Sequence, residues 1–210
     1  MEKLCTLCKN HLKPFANFRD KDYFYCDFCK SIQLDNKYFL SKENEFNRYN
    51  LHNNDVLDIN YQKFVMPIVN YVLKHYTHED IGLDYGCGPG PVVKKLLEEK
   101  AYQVKLYDPY FYNDSEALNV QYDFIILSEV AEHFYYPNFE FSKLKSMLKP
   151  NGALIIMTLL YNPEIDFLKW HYKNDETHVF FYSESTFKYI QKTFGFNQLF
   201  FDNRLIILKD

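Results

Sequence analysis

The chain has 210 residues, 47% of them hydrophobic and 25% charged, which fits a folded globular protein and excludes a disordered or low-complexity one. Its net charge of −4 offers no general positive field for a polyanion, so nucleic acid is disfavoured as a partner. No apolar run approaches the ~20 residues that span a bilayer, and the polar, Cys-bearing start MEKLCTLCKN does not read as a secretory signal; both point away from a membrane and to a reducing, cytoplasmic location.

Four of the five cysteines come first: Cys5 and Cys8, then seventeen residues, then Cys26 and Cys29. Each C-x2-C pair sets two thiolates on one side of a tight turn, and two such pairs complete a tetrahedron around zinc. The stretch between them holds turn signals and then an aromatic, strand-like run, the pattern of a zinc ribbon. A segment of ~30 residues buries too little apolar surface to fold alone, so the metal would supply much of its folding energy. The competing readings are two disulfides or four free thiols, and a reducing compartment works against the disulfides. Four thiolates leave no open metal position, so the zinc is expected to be structural. The composition shifts after this segment, which predicts a ribbon over residues 1–36, a helical linker or cap over 37–80 and the main domain over 81–210.

Residues 30–60 are polar and irregular in pattern. YQKFVMPIVNYVLKHY then shows helical spacing at Phe64, Ile68 and Val72, with Val65, Val69 and Tyr76 on the same side. Pro67 marks either a kink or the first turn of that helix. Strand and helix signals alternate from there: a strand over 81–85, a helix over 91–100, strands over 102–108 and 122–128, an amphipathic helix over 139–149 and a buried strand over 153–160. A helix over 183–194 has Ser183 as its N-cap and Gly195 just past its end. NQLFF and RLIIL flank the pair Asp202-Asn203 and predict a terminal hairpin. This alternation predicts an α/β fold, a mostly parallel sheet with helices on both faces and an antiparallel hairpin at the end.

LDYGCGPGPVVKK leaves the first strand of the main domain through Gly86, Gly88 and Gly90. In open α/β sheets, ligands sit beyond the carboxyl ends of the strands, and glycines there let a ligand approach the main chain. The spacing is one residue shorter than the dinucleotide pattern G-x-G-x-x-G. Asp108 closes the next strand, about twenty residues on, where a carboxylate can hold ribose hydroxyls. A ribose acid with a shortened loop suits S-adenosylmethionine (SAM), with Asp84 beside the loop to accept from its amino group. Cys87 reads as a small packed residue of the loop.

These segments resemble the class I SAM-dependent methyltransferases. LDYGCGPG is similar to their first motif, LYDPYF to the acidic end of the second strand, YDFIILSEVAEHF to the fourth-strand motif, and LKPNGALIIMT to the entry into the fifth strand. The ribbon, FLSKENEFNRYNLHNND and EIDFLKWHYKNDETHVFFYSESTF together resemble a bacterial group of zinc-ribbon methyltransferases. The resemblance implies a Rossmann-like sheet, SAM as cofactor and methyl transfer. It also implies that Ser128 and Glu129 lie beside the methionine part of the cofactor. Only some fourteen positions separate Asp108 from the fourth strand, so the third strand and its helix are expected to be short or missing.

The cofactor-binding set is therefore Asp84, Gly86, Cys87, Gly88, Gly90, Asp108, Ser128 and Glu129. Methyl transfer rests on alignment and exclusion of water more than on acid–base groups. His178 and His133 are the candidates for a general base, and Arg48, His52, His171 and Tyr172 for substrate contacts. The expected acceptor is a small or medium-sized metabolite methylated at N or O. The alternatives are an RNA methyltransferase that binds through a basic stripe of Lys9, Lys13, Arg19, Lys21 and Lys30, and a non-enzymatic SAM-binding protein.

Overall fold

The computed structural model of the chain describes residues 2–51 and 55–210. The aromatic run between the two Cys pairs forms β1 (Leu12–Phe18) and β2 (Lys21–Cys26), an antiparallel pair turning at Arg19-Asp20. β3 (Ile32–Leu34) joins the other edge of β2, and all three of its residues are buried. The polar stretch that follows contains a helix, α1 (Lys42–Tyr49). Ser41 caps it by accepting from the Asn44 N–H at 3.3 Å, Glu43 and Glu45 fill its first turn and Arg48 its last, all favourable against the helix dipole. α2 (Ile59–His75) starts two residues before the segment whose spacing predicts it. Its cap is Asp58, which accepts from the Asn60 N–H at 2.8 Å, and the helix runs through Pro67 at the loss of one internal hydrogen bond.

The alternating region builds β4 (Ile81–Tyr85), α3 (Val92–Glu98), β5 (Gln103–Tyr107), β6 (Tyr122–Ser128), α4 (Pro137–Ser146) and β7 (Leu148–Met157). β8 (Phe180–Phe181), α5 (Glu184–Phe194), β9 (Gln198–Asp202) and β10 (Leu205–Lys209) complete the chain. The main sheet has the order β5-β4-β6-β7-β10-β9; the first four strands are parallel, and β10 lies antiparallel between β7 and β9. Between β5 and β6 the described residues hold a single 3-10 turn, Ser115–Asn119, where a third strand and helix were expected to be short or missing. Phe124 and Ile126 of β6 face Val65, Ile68 and Val92 of α2 and α3, while Ile125 and Leu127 face the side of Phe141, Leu144 and Phe187 of α4 and α5. A strand buried on both faces reads as a continuous apolar run, as β6 does. No helix among the described residues is long and apolar enough to cross a membrane.

Further boundaries differ from the sequence expectation. α4 begins at Pro137 and stops at Ser146, because the chain turns extended at Leu148. β7 takes in Pro150 and Gly152 through a register shift against β6 and ends at Met157 instead of residue 160. The hairpin turn is Asn203-Arg204, one residue later than predicted, with Asn203 in the left-handed region at φ 53°. α5 ends as expected on Gly195 at φ 72°, with open space where a Cβ would be. Gly195→Ala should therefore destabilise the chain by about 1 kcal/mol through backbone strain alone. Urea denaturation with an unchanged m-value measures it; a neutral substitution would show that this helix end relaxes.

β8 does not join the main sheet. It pairs with β3 (Ile32↔Phe181, Gln33↔Phe180) and makes the N-terminal sheet four-stranded, in the order β1-β2-β3-β8. The apolar core beneath that sheet is continuous with the α4/α5 face of the main sheet.

Candidate active site

β4 delivers the chain into the glycine loop. Gly86 and Gly88 hold φ of 75° and 64°, and a Cβ on Gly86 would lie 2.7 Å from a Val130 methyl. The loop is fastened to β5: Gly86 N–H donates to the Tyr107 carbonyl at 2.7 Å, and Gly88 N–H donates to Asp108 Oδ2 at 3.0 Å. Asp108 Oδ1 accepts from the N–H groups of Tyr110 (2.8 Å) and Phe111 (3.1 Å). Asp84 is buried at the root of the loop, and burial pushes its carboxyl up to about 7. Burial also pushes the Cys87 thiol up, as fits a packed side chain and not a nucleophile.

Asp84, Gly86, Cys87, Gly88, Gly90 and Asp108 line one cavity of about 610 Å³, which Ser128, Glu129, His133 and His178 also line. The strand-end acid and the glycine turn thus face a single space. Ser128 Oγ and Glu129 Oε1 are buried with no hydrogen-bond partner among the described residues. Orphaned polar atoms in a cavity wall ask for a ligand that donates to them. Glu129 stands at φ 54°, a costly conformation at the end of β6, and its Oε2 accepts from Arg204 (2.8 Å) and lies 3.2 Å from the Tyr172 hydroxyl oxygen.

Behind it, Glu132 is fully buried and accepts from the Tyr172 hydroxyl and from Thr158 Oγ1 at 3.1 Å. Burial raises both glutamates above the usual carboxylate range, and Glu132 raises Glu129 further. Carboxyls in the unfolded chain titrate near ~4. Between that point and the raised folded values, the folded chain holds more protons than the unfolded one. The contribution of Asp84 to stability is therefore fully present below about pH 4 and is lost as pH rises through about 7. Thermal melts of the ligand-free chain from pH 5 to 8 should decline less steeply in Asp84→Asn than in the wild type; parallel curves would reject the assignment.

His133 and His178 stand side by side, with ring centroids 4.8 Å apart. His133 Nδ1 lies 3.0 Å from the Thr177 carbonyl and His178 Nδ1 lies 2.7 Å from the Tyr172 carbonyl. A carbonyl only accepts, so each neutral ring carries its proton on Nδ1 and its lone pair on Nε2. Burial holds the His133 pKa below its ordinary value and keeps that ring neutral. His178 Nε2 is 3.9 Å from Glu132 Oε1.

The other expected substrate contacts sit elsewhere. Arg48 does not line the cavity; its guanidinium pairs with Asp175 at 2.8 Å, and that pair takes up the charge expected for a substrate anion. His171 is exposed and away from the cavity. Tyr172 is buried behind the wall and serves the two glutamates. His52 lies outside the described residues. Sequence reasoning missed Glu45 of α1, a cavity residue that accepts from Tyr49 at 3.0 Å and from the Tyr110 hydroxyl. It also missed the wall in which Lys143 donates to Tyr85 Oη at 3.1 Å and Tyr85 to Glu140 at 2.8 Å.

The sulfurs of Cys5, Cys8, Cys26 and Cys29 all lie within 4.8 Å of one another, with Cys5 to Cys29 at 3.6 Å and Cys8 to Cys26 at 3.4 Å. A tetrahedral zinc with 2.3 Å bonds has sulfur–sulfur edges of about 3.8 Å, so the donor set fits that ion. Gln33 donates an N–H to Cys5 Sγ at 3.2 Å. Of the five cations expected to form a basic stripe, Lys13 pairs with Asp27 at 2.8 Å and Lys21 with Glu176 at 3.2 Å.

A parallel sheet closed by one reversed strand, with a glycine turn and a strand-end acid on one cavity, defines the Rossmann-like fold of the class I methyltransferases. A family model described as a methyltransferase domain matches residues 57–199, so the chain belongs to that family. Solved structures agree in fold. An O-methyltransferase family protein from Burkholderia thailandensis superposes with a TM-score of 0.55 at 14% identity, covering 80% of this chain and 62% of that one. Human N-acetylserotonin methyltransferase, solved with SAM, gives 0.52 at 13% identity, over 71% of this chain and 53% of that one. A SAM-dependent methyltransferase from Archaeoglobus fulgidus gives 0.53 at 16% identity, over 71% and 94%. The chain thus spans only 53% to 62% of the length of the first two. No curated protein matches it in sequence.

Proposed function

We propose that the chain transfers the methyl group of SAM to an N or O atom of a small or medium-sized metabolite. The observation that carries this reading is the shared cavity: Asp108 fastens the glycine loop on one side, and the orphaned Ser128 Oγ and Glu129 Oε1 wait on the other. When bound, SAM supplies an electrophilic methyl on a positively charged sulfur. Asp108 keeps lone pairs for ribose hydroxyls beyond those its three backbone bonds use. Asp84, Ser128 and Glu129 offer acceptors to the ammonium group. Tyr49, Tyr110, Phe134 and Tyr135 wall the cavity and exclude water. His178 takes the acceptor's proton at Nε2, which the bond from Nδ1 to Tyr172 orients. His133 packs against it and fixes its place. Cys5, Cys8, Cys26 and Cys29 hold one structural zinc.

His178→Asn should lower turnover by about 10²- to 10⁴-fold and leave SAM affinity in place. The assay screens metabolite extracts by mass spectrometry for a product one methyl heavier that needs both protein and SAM. Titration calorimetry with SAM tests the cofactor directly, and absence of binding would end the reading. An unchanged rate in the His178 variant would remove the base and leave alignment as the whole of catalysis.

A further inference from the structure

The two histidines of the cavity are not held by the main sheet alone. Both accept their orientation from carbonyls of one loop, Tyr172 for His178 and Thr177 for His133. That loop runs directly into β8, the fourth strand of the N-terminal sheet. Leu34 N–H of β3 donates to the Val179 carbonyl at 2.9 Å, and Val179 N–H donates to the Glu132 carbonyl at 2.9 Å. Residue 179 is therefore bonded to the ribbon on one edge and to the Glu132-His133 turn on the other. Three more contacts fix the loop to the ribbon. Lys21 pairs with Glu176, the buried Lys173 ammonium lies 3.4 Å above the Phe18 ring, and Tyr23 packs on Phe181 at 6.1 Å. At the middle of β3, Gln33 donates to Cys5 Sγ and accepts from Thr6 N–H at 3.1 Å, so β3 is tied to the thiol cluster as well as to β8. The glycine loop takes its bonds from Tyr107 and Asp108 at the far edge of the main sheet.

We propose that the ribbon is the positioning element of the histidine half of the cavity, and that metal at its four thiols controls this half without controlling the glycine-loop half. The proposal rests on the zinc and methyltransferase readings above. Metal loss frees Cys5, then β3, then the β3–β8 ladder, and with it the carbonyls that set the two imidazoles. Gly86, Gly88 and Asp108 keep their bonds to each other and to β5. The ribbon then acts as an internal brace and needs no partner molecule for its role.

Trp170, the one tryptophan of the chain, reports on this region: it is buried, with ring centroids 5.2 Å from Tyr172 and 5.7 Å from Phe181. The test strips zinc from the full wild-type chain with a chelator and then restores it. Metal removal should shift Trp170 emission to the red and move the imidazole resonances of His133 and His178. Hydrogen-exchange protection of the amides at 179–182 should fall by at least about tenfold, while protection at Gly86, Gly88 and Asp108 changes by less than about twofold. Zinc should reverse every change. Cys8→Ser should reproduce the stripped state if it folds, and the wild-type measurement decides if it does not. Unchanged emission and exchange at 179–182 after metal loss overturn the proposal, as does loss of protection in both halves together or a chain purified without metal whose 179–182 amides are as protected as those of the zinc-loaded chain. None of these readouts needs SAM, so failure to bind SAM sinks the proposed activity separately.

Discussion

Asp108→Asn will raise the SAM dissociation constant by about two orders of magnitude, and Asp108→Ala by more. The carboxylate does two jobs at once. It accepts from Gly88, Tyr110 and Phe111 N–H groups, and it lines the cavity. An asparagine keeps one oxygen for Tyr110 and Phe111 but turns an amide N–H toward the Gly88 N–H, so two donors meet. An alanine leaves all three N–H groups without their partner. Each buried, unsatisfied donor costs about 1–3 kcal/mol, so the glycine loop loses its shape before any direct contact to the ligand is counted. Calorimetry with SAM and a thermal melt measure the two parts. Retained affinity in both variants would show that the loop holds its form without Asp108.

Cys26→Ser will lose the metal and at least about 4 kcal/mol of stability. Isolated zinc modules owe ~10–16 kcal/mol to their ion, and loss here should be smaller because β8 and the main core support one side of the ribbon. Metal analysis should find one zinc per wild-type chain and none in the variant. Guanidinium denaturation should show the stability change, with residues 2–34 opening first by hydrogen exchange. A variant as stable as the wild type would mean that apolar packing, and not the ion, holds the ribbon.

The strands and the cofactor side were legible because their signals are local. β6 reads YDFIILS, the glycine loop follows β4 within one residue, and Asp108 sits at a fixed distance along the chain. Helix ends were legible where a capping residue declares them, as Ser183 and Gly195 do for α5. At α2 the cap Asp58 lies ahead of the apolar pattern, so periodicity alone did not mark the first residues of the helix. The acceptor side was less legible because it is assembled from distant segments. Glu45, Tyr110 and His133 share one cavity but come from α1, the β5 exit and the β6 exit. Arg48 looked available in sequence, since nothing local reveals Asp175, which lies far along the chain. Two phenylalanines carry no strand signal of their own, so β8 and its pairing with β3 could not be read in advance.

The pairing of Ile32 with Phe181 has a consequence for how the molecule comes together. Its partners are separated by about 150 residues, so closing that contact carries a large entropic cost and should come late. The cysteine knuckles, by contrast, lie within one short stretch and can close early. Until the late contact forms, the Ile-Gln-Leu segment presents unpaired main-chain groups and apolar side chains to other chains. Crowded refolding is then most hazardous in the interval between closure of the cysteine knuckles and the arrival of Phe180-Phe181, and dilution should rescue yield during that interval more than at any other.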